Sequence, residues 1–220
     1  VKQNRFNKAV VKSKEIIDKK LLGKIFMVSA SCKWKREQQY YDLSEWRGKR
    51  ALDGGVLMNQ AIHHIDLLIY LIGEIKHVCG FYTTRFVNIE SENIAVASIM
   101  FKNKCLGTIE ATTATQPEDY EGSITILGEN GTLKIGGFAS NTIDYFKNKN
   151  KTKINLKNYS SKIKNVYGYG HINFYNFVLD FMNKKIKKNQ FDINNSIKSV
   201  AVVETIINSF KSKKVEKIKI

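Results

Sequence analysis

Asn59, His63, Asp66 and Tyr70 recur at i, i+4, i+7 and i+11, the spacing that stacks side chains along one face of a helix. An amide, an imidazole, a carboxylate and a phenol in line form a wall that exchanges protons and hydrogen-bonds hydroxyl groups. Neutral imidazole suits the proton step because its ordinary pKa lies close to working pH. A solvated helix face in so lysine-rich a chain is expected to carry Lys and Glu instead. His63 is therefore either a general base or a hydrogen-bonded structural histidine, and on pattern alone the structural role leads. His64 points about 100° away on an ideal helix and belongs to the next stripe. Asp66 either orients His63 or is a satisfied structural carboxylate.

The elements that must position this line are legible as periods. Asp53-Gly54-Gly55 is a glycine turn feeding a helix that closes at Gly73, with Met58, Ala61, Ile62, Ile65, Leu68, Ile69 and Ile72 facing a core. Upstream, residues 7–20 have a helical period. Residues 24–36 alternate, with Phe26, Val28, Ala30, Cys32 and Trp34 on one face of a long strand. Residues 37–54 are polar and aromatic without a period, as in a loop over a pocket mouth. Strands follow at 77–87, 94–102, 105–114 and 123–127, with weaker ones at 133–135, 142–146 and 153–156. Asn103-Lys104 and Asn130-Gly131 are short turns, the second with a type I′ signature. Helices at 172–185 and 194–211 and a strand at 215–218 complete the chain. The expected fold is α+β: one large, mostly antiparallel sheet backed by helices, a single domain over residues 1–220. Residues 94–101 are apolar on both strand faces, so a second cover for the sheet is expected.

Composition narrows the function classes. The formal charge is +16 over 220 residues, but lysine is spread along the chain, whereas a nucleic-acid reader clusters arginines and aromatics on one element. The clusters at 147–157, 184–188 and 211–219 are read as solvated loop and helix ends, and no nucleic-acid partner is expected. The apolar runs are far shorter than a membrane span, so no membrane partner is expected either. Cys32, Cys79 and Cys105 are the three cysteines, without metal-ligand spacing. They read as buried thiols in a reducing, cytoplasmic setting, with no metal site.

Residues 53–66, DGGVLMNQAIHHID, resemble the G-G-G-x-L-x-[DN]-x-x-x-H-x-x-D segment of the Gfo/Idh/MocA oxidoreductases. The likeness continues through Gln3-Asn4-Arg5-Phe6-Asn7, Trp34-Lys35-Arg36, Tyr40-Tyr41, Trp46-Arg47-Gly48, the segment 127–133 and the segment 170–178, in order along nearly the whole chain. The Q-N-R-F start, the W-x-R-x-x-x-Y-Y run and N-Q-x-I-H are most similar to the branch that oxidises the 3-hydroxyl of UDP-N-acetylglucosaminuronic acid for surface-polysaccharide synthesis. The family's free-sugar and cyclitol dehydrogenases, and a non-catalytic sugar-binding module, are the alternatives.

The resemblance implies an NAD(P)-dependent dehydrogenase in which His63 and Asn59 are catalytic. Asn4, Arg5, Arg36, Tyr41, Asn59 and His171 then contact substrate. Many relatives have Asp where Asn59 stands. Arg5 either forks a sugar carboxylate or phosphate or makes a salt bridge at the helix entry; His171 either helps hold an anion or packs and caps. Trp34 is read as core. The family's Rossmann domain, with its Gly-rich loop and Lys-Pro motif, has no counterpart here: G-x-G-x-x-G is absent and Pro117 is the single proline. The chain is expected to be the substrate-binding and oligomerisation half, inactive alone, with NAD or NADP held by a domain it lacks. A homodimer or tetramer through the sheet face is the expected assembly.

Overall fold

The computed structural model describes residues 2–163, 165–186 and 193–219; the end of the 184–188 lysine cluster lies outside them. After a 310 turn at Gln3–Phe6, helix α1 (Lys8–Asp18) buries Ala9, Val10, Ser13 and Ile16, one stripe of a 3.6-residue period. Strand β1 (Ile25–Lys33) follows, then the short helix α2 (Gln38–Asp42) within the segment expected to be all loop. A π-helical turn at Leu57–Ala61 runs directly into α3 (Ile62–Ile72). Strands β2 (Ile75–Thr83), β3 (Ile94–Phe101), β4 (Leu106–Thr112), β5 (Glu121–Gly128), β6 (Gly131–Gly136) and β7 (Thr142–Asn148) come next. Helices α4 (Gly170–Met182) and α5 (Ile193–Ser212) and the two-residue strand β8 (Glu216–Lys217) end the chain.

All eight strands form one sheet in the order β7-β6-β5-β1-β4-β3-β2-β8. Of its pairings only β1–β4 is parallel, so the expected mostly antiparallel α+β sheet is what the chain forms. Alternation along the strands puts Val28, Ala30 and Cys32 of β1, Ile124 and Ile126 of β5, and Ile109 and Ala111 of β4 on one buried face. There α3 and α5 close the core with Ile65, Leu68, Val202, Val203 and Ile206.

Three local expectations differ from the structure. The β5–β6 turn is Glu129-Asn130, because Gly128 pairs with Gly131; neither residue has a positive φ, so it is not type I′. Its amides donate instead to the Lys24 and Leu22 carbonyls, which lets a different turn close the hairpin. Residues 153–156 are not a strand: Asn155 accepts from the Lys157 amide and starts a 310 turn at Leu156–Tyr159. On β3 the outward row is Ile94, Val96, Ser98 and Met100, mixed rather than uniformly apolar. Its neighbours in the same row are Ser29, Thr108 and Thr125 at the centre, and Met27, Leu106 and Leu127 at one end.

Candidate functional site

The glycine turn and α3 are joined by Glu92. Its backbone carbonyl accepts from the Val56 amide at 2.8 Å and its carboxylate from the Leu57 amide at 3.2 Å, satisfying two of the donors a helix start leaves open. A Cβ on Gly55 would meet Glu92 at 2.3 Å, so only glycine lets the chain pass. Burial pushes the Glu92 carboxyl up, partly opposed by its own amide and that of Leu57. The π turn that follows carries Asn59 and breaks the strict i, i+4 register expected from the sequence. Asn59 donates through Nδ2 to Asp53, whose other oxygen accepts from the Gly48 amide at 3.2 Å.

His63 opens α3 part-exposed, with Nδ1 buried and without a hydrogen-bond partner. Burial, aided by the charges of His64, Lys2 and His171, pushes its pKa down to about 3, so the ring is neutral at pH 7. His64 is fully buried, edge-on to Trp34 at 5.9 Å, and burial lowers it to about 4 against an opposing pull from the Gly122 backbone. Asp66 is turned away from His63. It takes a two-point ion pair from Arg5, Nε to Oδ2 at 2.7 Å and Nη2 to Oδ1 at 2.6 Å, both groups buried. Tyr70 packs its ring 4.9 Å from the same guanidinium. Of the four residues expected in line, Asp66 and Tyr70 thus serve Arg5, while Asn59 serves Asp53.

Arg5 therefore makes the salt bridge that was one of its two readings, and its fork is turned into the fold. Asn4, on the same 310 turn, is buried and its Oδ1 has no partner. His171 stands in the first turn of α4, which sits on Gln3–Phe6: Asn173 donates to the Phe6 carbonyl at 3.1 Å, and Phe6 meets Phe174 and Phe177 edge-on or tilted. A Cβ on Gly170 would lie 2.3 Å from the Gln3 carbonyl, which fixes glycine at that contact. The structure thus gathers Asn4, Arg5, His63 and His171 at one corner, where the 310 turn, α3 and α4 meet.

Arg36 and Tyr41 stand apart from it. Arg36 pairs with Asp119 at 2.9 Å and packs over Trp34 and Tyr40. The Tyr41 hydroxyl lies 2.9 Å from Thr113 Oγ1, and burial pushes the phenol up. Arg36, Tyr40, Asp119 and Tyr167 line a concavity of about 540 Å3. A second, of about 410 Å3, is lined by Tyr41, Arg47 and Glu90. Neither of these includes His63 or Asn59 in its wall. Sequence reasoning missed Lys2, which joins that corner with Nζ 4.0 Å from Asp66 and 2.8 Å from Ser199 Oγ. Only its place two residues before Asn4 hinted at this.

The single parallel pairing joins β1 to β4, and Gly54-Gly55 follows a loop instead of a strand, so among the described residues no strand–glycine turn–helix unit cradles a pyrophosphate. Among the described residues no His/Cys/Asp/Glu group is arranged to hold a metal ion, and no helix is long and apolar enough to cross a membrane.

Likeness to known proteins gives this geometry its context. No curated protein matches the chain. The WlbA dehydrogenase from Bordetella pertussis, solved in complex with NADH and UDP-GlcNAcA, is 34% identical with a TM-score of 0.93, over 100% of this chain and 64% of its own. The WlbA dehydrogenase from Chromobacterium violaceum, solved with the same two ligands, is also 34% identical, with a TM-score of 0.88 over 100% and 62%. This chain therefore spans less than two thirds of either. An NAD binding oxidoreductase from Klebsiella pneumoniae shares the fold at 16% identity, with a TM-score of 0.81 over 100% of this chain and 66% of its own. The model of the GFO/IDH/MocA C-terminal domain matches residues 10–134. That match covers more than half of the sequence, and the chain belongs to the Gfo/Idh/MocA family.

Proposed function

We propose that this chain is the substrate-binding and oligomerisation half of an NAD(P)-dependent oxidoreductase. Its substrate on this reading is the 3-hydroxyl of a UDP-N-acetyl-hexosaminuronic acid, used in the cytoplasm for surface-polysaccharide synthesis. The observation that carries it is the 34% identity to two UDP-GlcNAcA-bound WlbA dehydrogenases along the whole of this chain. The geometry agrees with that reading: a part-exposed neutral imidazole stands beside an orphaned amide oxygen and a largely buried cation.

Oxidising a secondary alcohol requires that the hydroxyl proton leave as hydride departs from carbon. His63 accepts that proton, and Asn59 and Asn4 orient hydroxyl groups beside it. A ring held near pKa 3 is a poor base alone. An anionic substrate drawn against Lys2 offsets part of the positive charge that, after burial, holds the ring's pKa down. The dinucleotide belongs to the third of the relatives that this chain does not span, which also supplies the opposite wall of the cleft. The open sheet face, with Met27, Val96 and Leu106 each more than 40% exposed, packs on a second copy.

The test is direct. The longest natural polypeptide containing this chain is mixed with NAD and UDP-N-acetylglucosaminuronate, and absorbance at the NADH band is followed. Reduction with that sugar, and none by the 220-residue chain alone, is expected. Equal rates with any free hexose would move the assignment to a free-sugar dehydrogenase.

A further inference from the structure

Among the described residues, Lys2 is largely buried beside His63 without a carboxylate of its own. Lys2 has 10% of its side chain exposed and Asp66 only 2%. Both Asp66 oxygens already accept from Arg5 at 2.6–2.7 Å, and Lys2 Nζ reaches the nearer one only at 4.0 Å. Among the described residues its close contact is neutral, Ser199 Oγ at 2.8 Å. Lys2 thus faces a carboxylate that Arg5 already holds, in a place from which water is largely removed. Taking a charge out of water costs several kcal/mol unless it is paired. Burial accordingly lowers the Lys2 pKa, with Arg5 adding to the effect against the pull of Asp66. Two independent orphans stand at the same corner. Asn4 Oδ1 is a buried acceptor without a donor, and His63 Nδ1 is buried without a partner.

We infer that Lys2 is a specificity residue that recognises a carboxylate on the sugar, and that the site discriminates for hexuronates through it. The inference rests on the oxidoreductase reading above and adds the group that selects among sugars. A carboxylate set against Nζ supplies the missing countercharge, and a neighbouring hydroxyl donates to Asn4 Oδ1. A neutral hexose supplies the second contact and leaves the cation unpaired. Discrimination then comes from the group the site leaves unsatisfied when the wrong ligand binds. Arg5 was the sequence's candidate for this role, but its fork is held by Asp66, and Lys2 stands beside it with one charge to spare.

The experiment is calorimetric titration of UDP-N-acetylglucosaminuronate and UDP-N-acetylglucosamine, which carries a neutral 6-hydroxymethyl group in place of the carboxylate, into the longest natural polypeptide containing this chain. Wild type, Lys2→Met, Lys2→Arg and Ser199→Ala are compared. Wild type should favour the carboxylated sugar by about tenfold or more, the usual worth of a charge-assisted hydrogen bond. Lys2→Met should remove that ratio, Lys2→Arg should keep most of it, and Ser199→Ala, which frees Nζ from its tether, should reduce it. Lys2→Met should also melt no lower than wild type, since it deletes a charge that lacks its own partner. No preference in wild type, or a preference that survives Lys2→Met, overturns the assignment. A Lys2-dependent preference without NAD reduction keeps it and removes the dehydrogenase instead.

Discussion

Two basic regions of this molecule differ in what surrounds their charge. At the corner beside His63, Arg5 and Asp66 are buried and Lys2 nearly so, with donor–acceptor geometry fixed at both Asp66 oxygens. At the opposite end of α3, Lys76, Lys102, Lys198, Lys217 and Lys219 line an open concavity of about 850 Å3 around Glu74. That carboxylate is bridged by Lys102 and, at 2.6 Å, by Lys198, and the two lysines hold its carboxyl down to about 2. The second region has more charge in a larger hollow, yet water screens it and its side chains are free to move. The first has less charge, but nothing around it replaces the lost hydration. Burial, more than the number of charges, makes a charge informative about function.

The sharpest way to break this contrast is to remove the carboxylate from each region. Asp66→Asn leaves two buried cations facing a neutral amide and should cost about 3–5 kcal/mol, the usual loss when one partner of a buried pair is deleted. Glu74→Gln should cost at most about 1 kcal/mol, as exposed pairs do. Chemical denaturation of both variants checks this, and equal losses would erase the distinction.

The helix carrying the first region was legible because its glycines and apolar period are local signals. Gly54-Gly55 marked its entry and Gly73 its end. The pairing of Arg5 with Asp66 was left open because the two are 61 residues apart, and no short-range pattern encodes such a contact. The line from Asn59 to Tyr70 was drawn on an ideal helix, and the π turn at Leu57–Ala61 interrupts it. Tyr41 and Arg36 were read toward ligand, yet Thr113 and Asp119, far along the chain, are their partners here. The sheet was recoverable from alternation. The β5–β6 turn type was not, because Gly23's neighbours Leu22 and Lys24 supply its acceptors.

A smaller effect should follow from pH. Unfolded His64 takes a proton near its ordinary value of about 6.5, whereas in the fold burial delays this to about 4. Between those values the unfolded chain binds more protons, so stability falls as pH drops through the window and is fully present above it. Thermal melts from pH 7 to 4 should show this, and His64→Gln should reduce the slope to the part that His63, lowered to about 3, contributes in the same direction. An unchanged slope would mean that His64 does not control it. Smallest of all, joint replacement of Lys76, Lys217 and Lys219 by Gln should shift stability by no more than about 0.5 kcal/mol. A larger loss in the same melts would show that the open cluster is structurally built.

The central claim is that the imidazole at the start of α3 handles the substrate's proton. The measurement is the turnover number of His63→Ala in the longest natural polypeptide containing this chain, with NAD and UDP-N-acetylglucosaminuronate, beside a melt confirming the fold. A fall of about 10²–10⁴-fold, the range for losing a general base, is expected. Turnover within a factor of two of wild type would contradict the account.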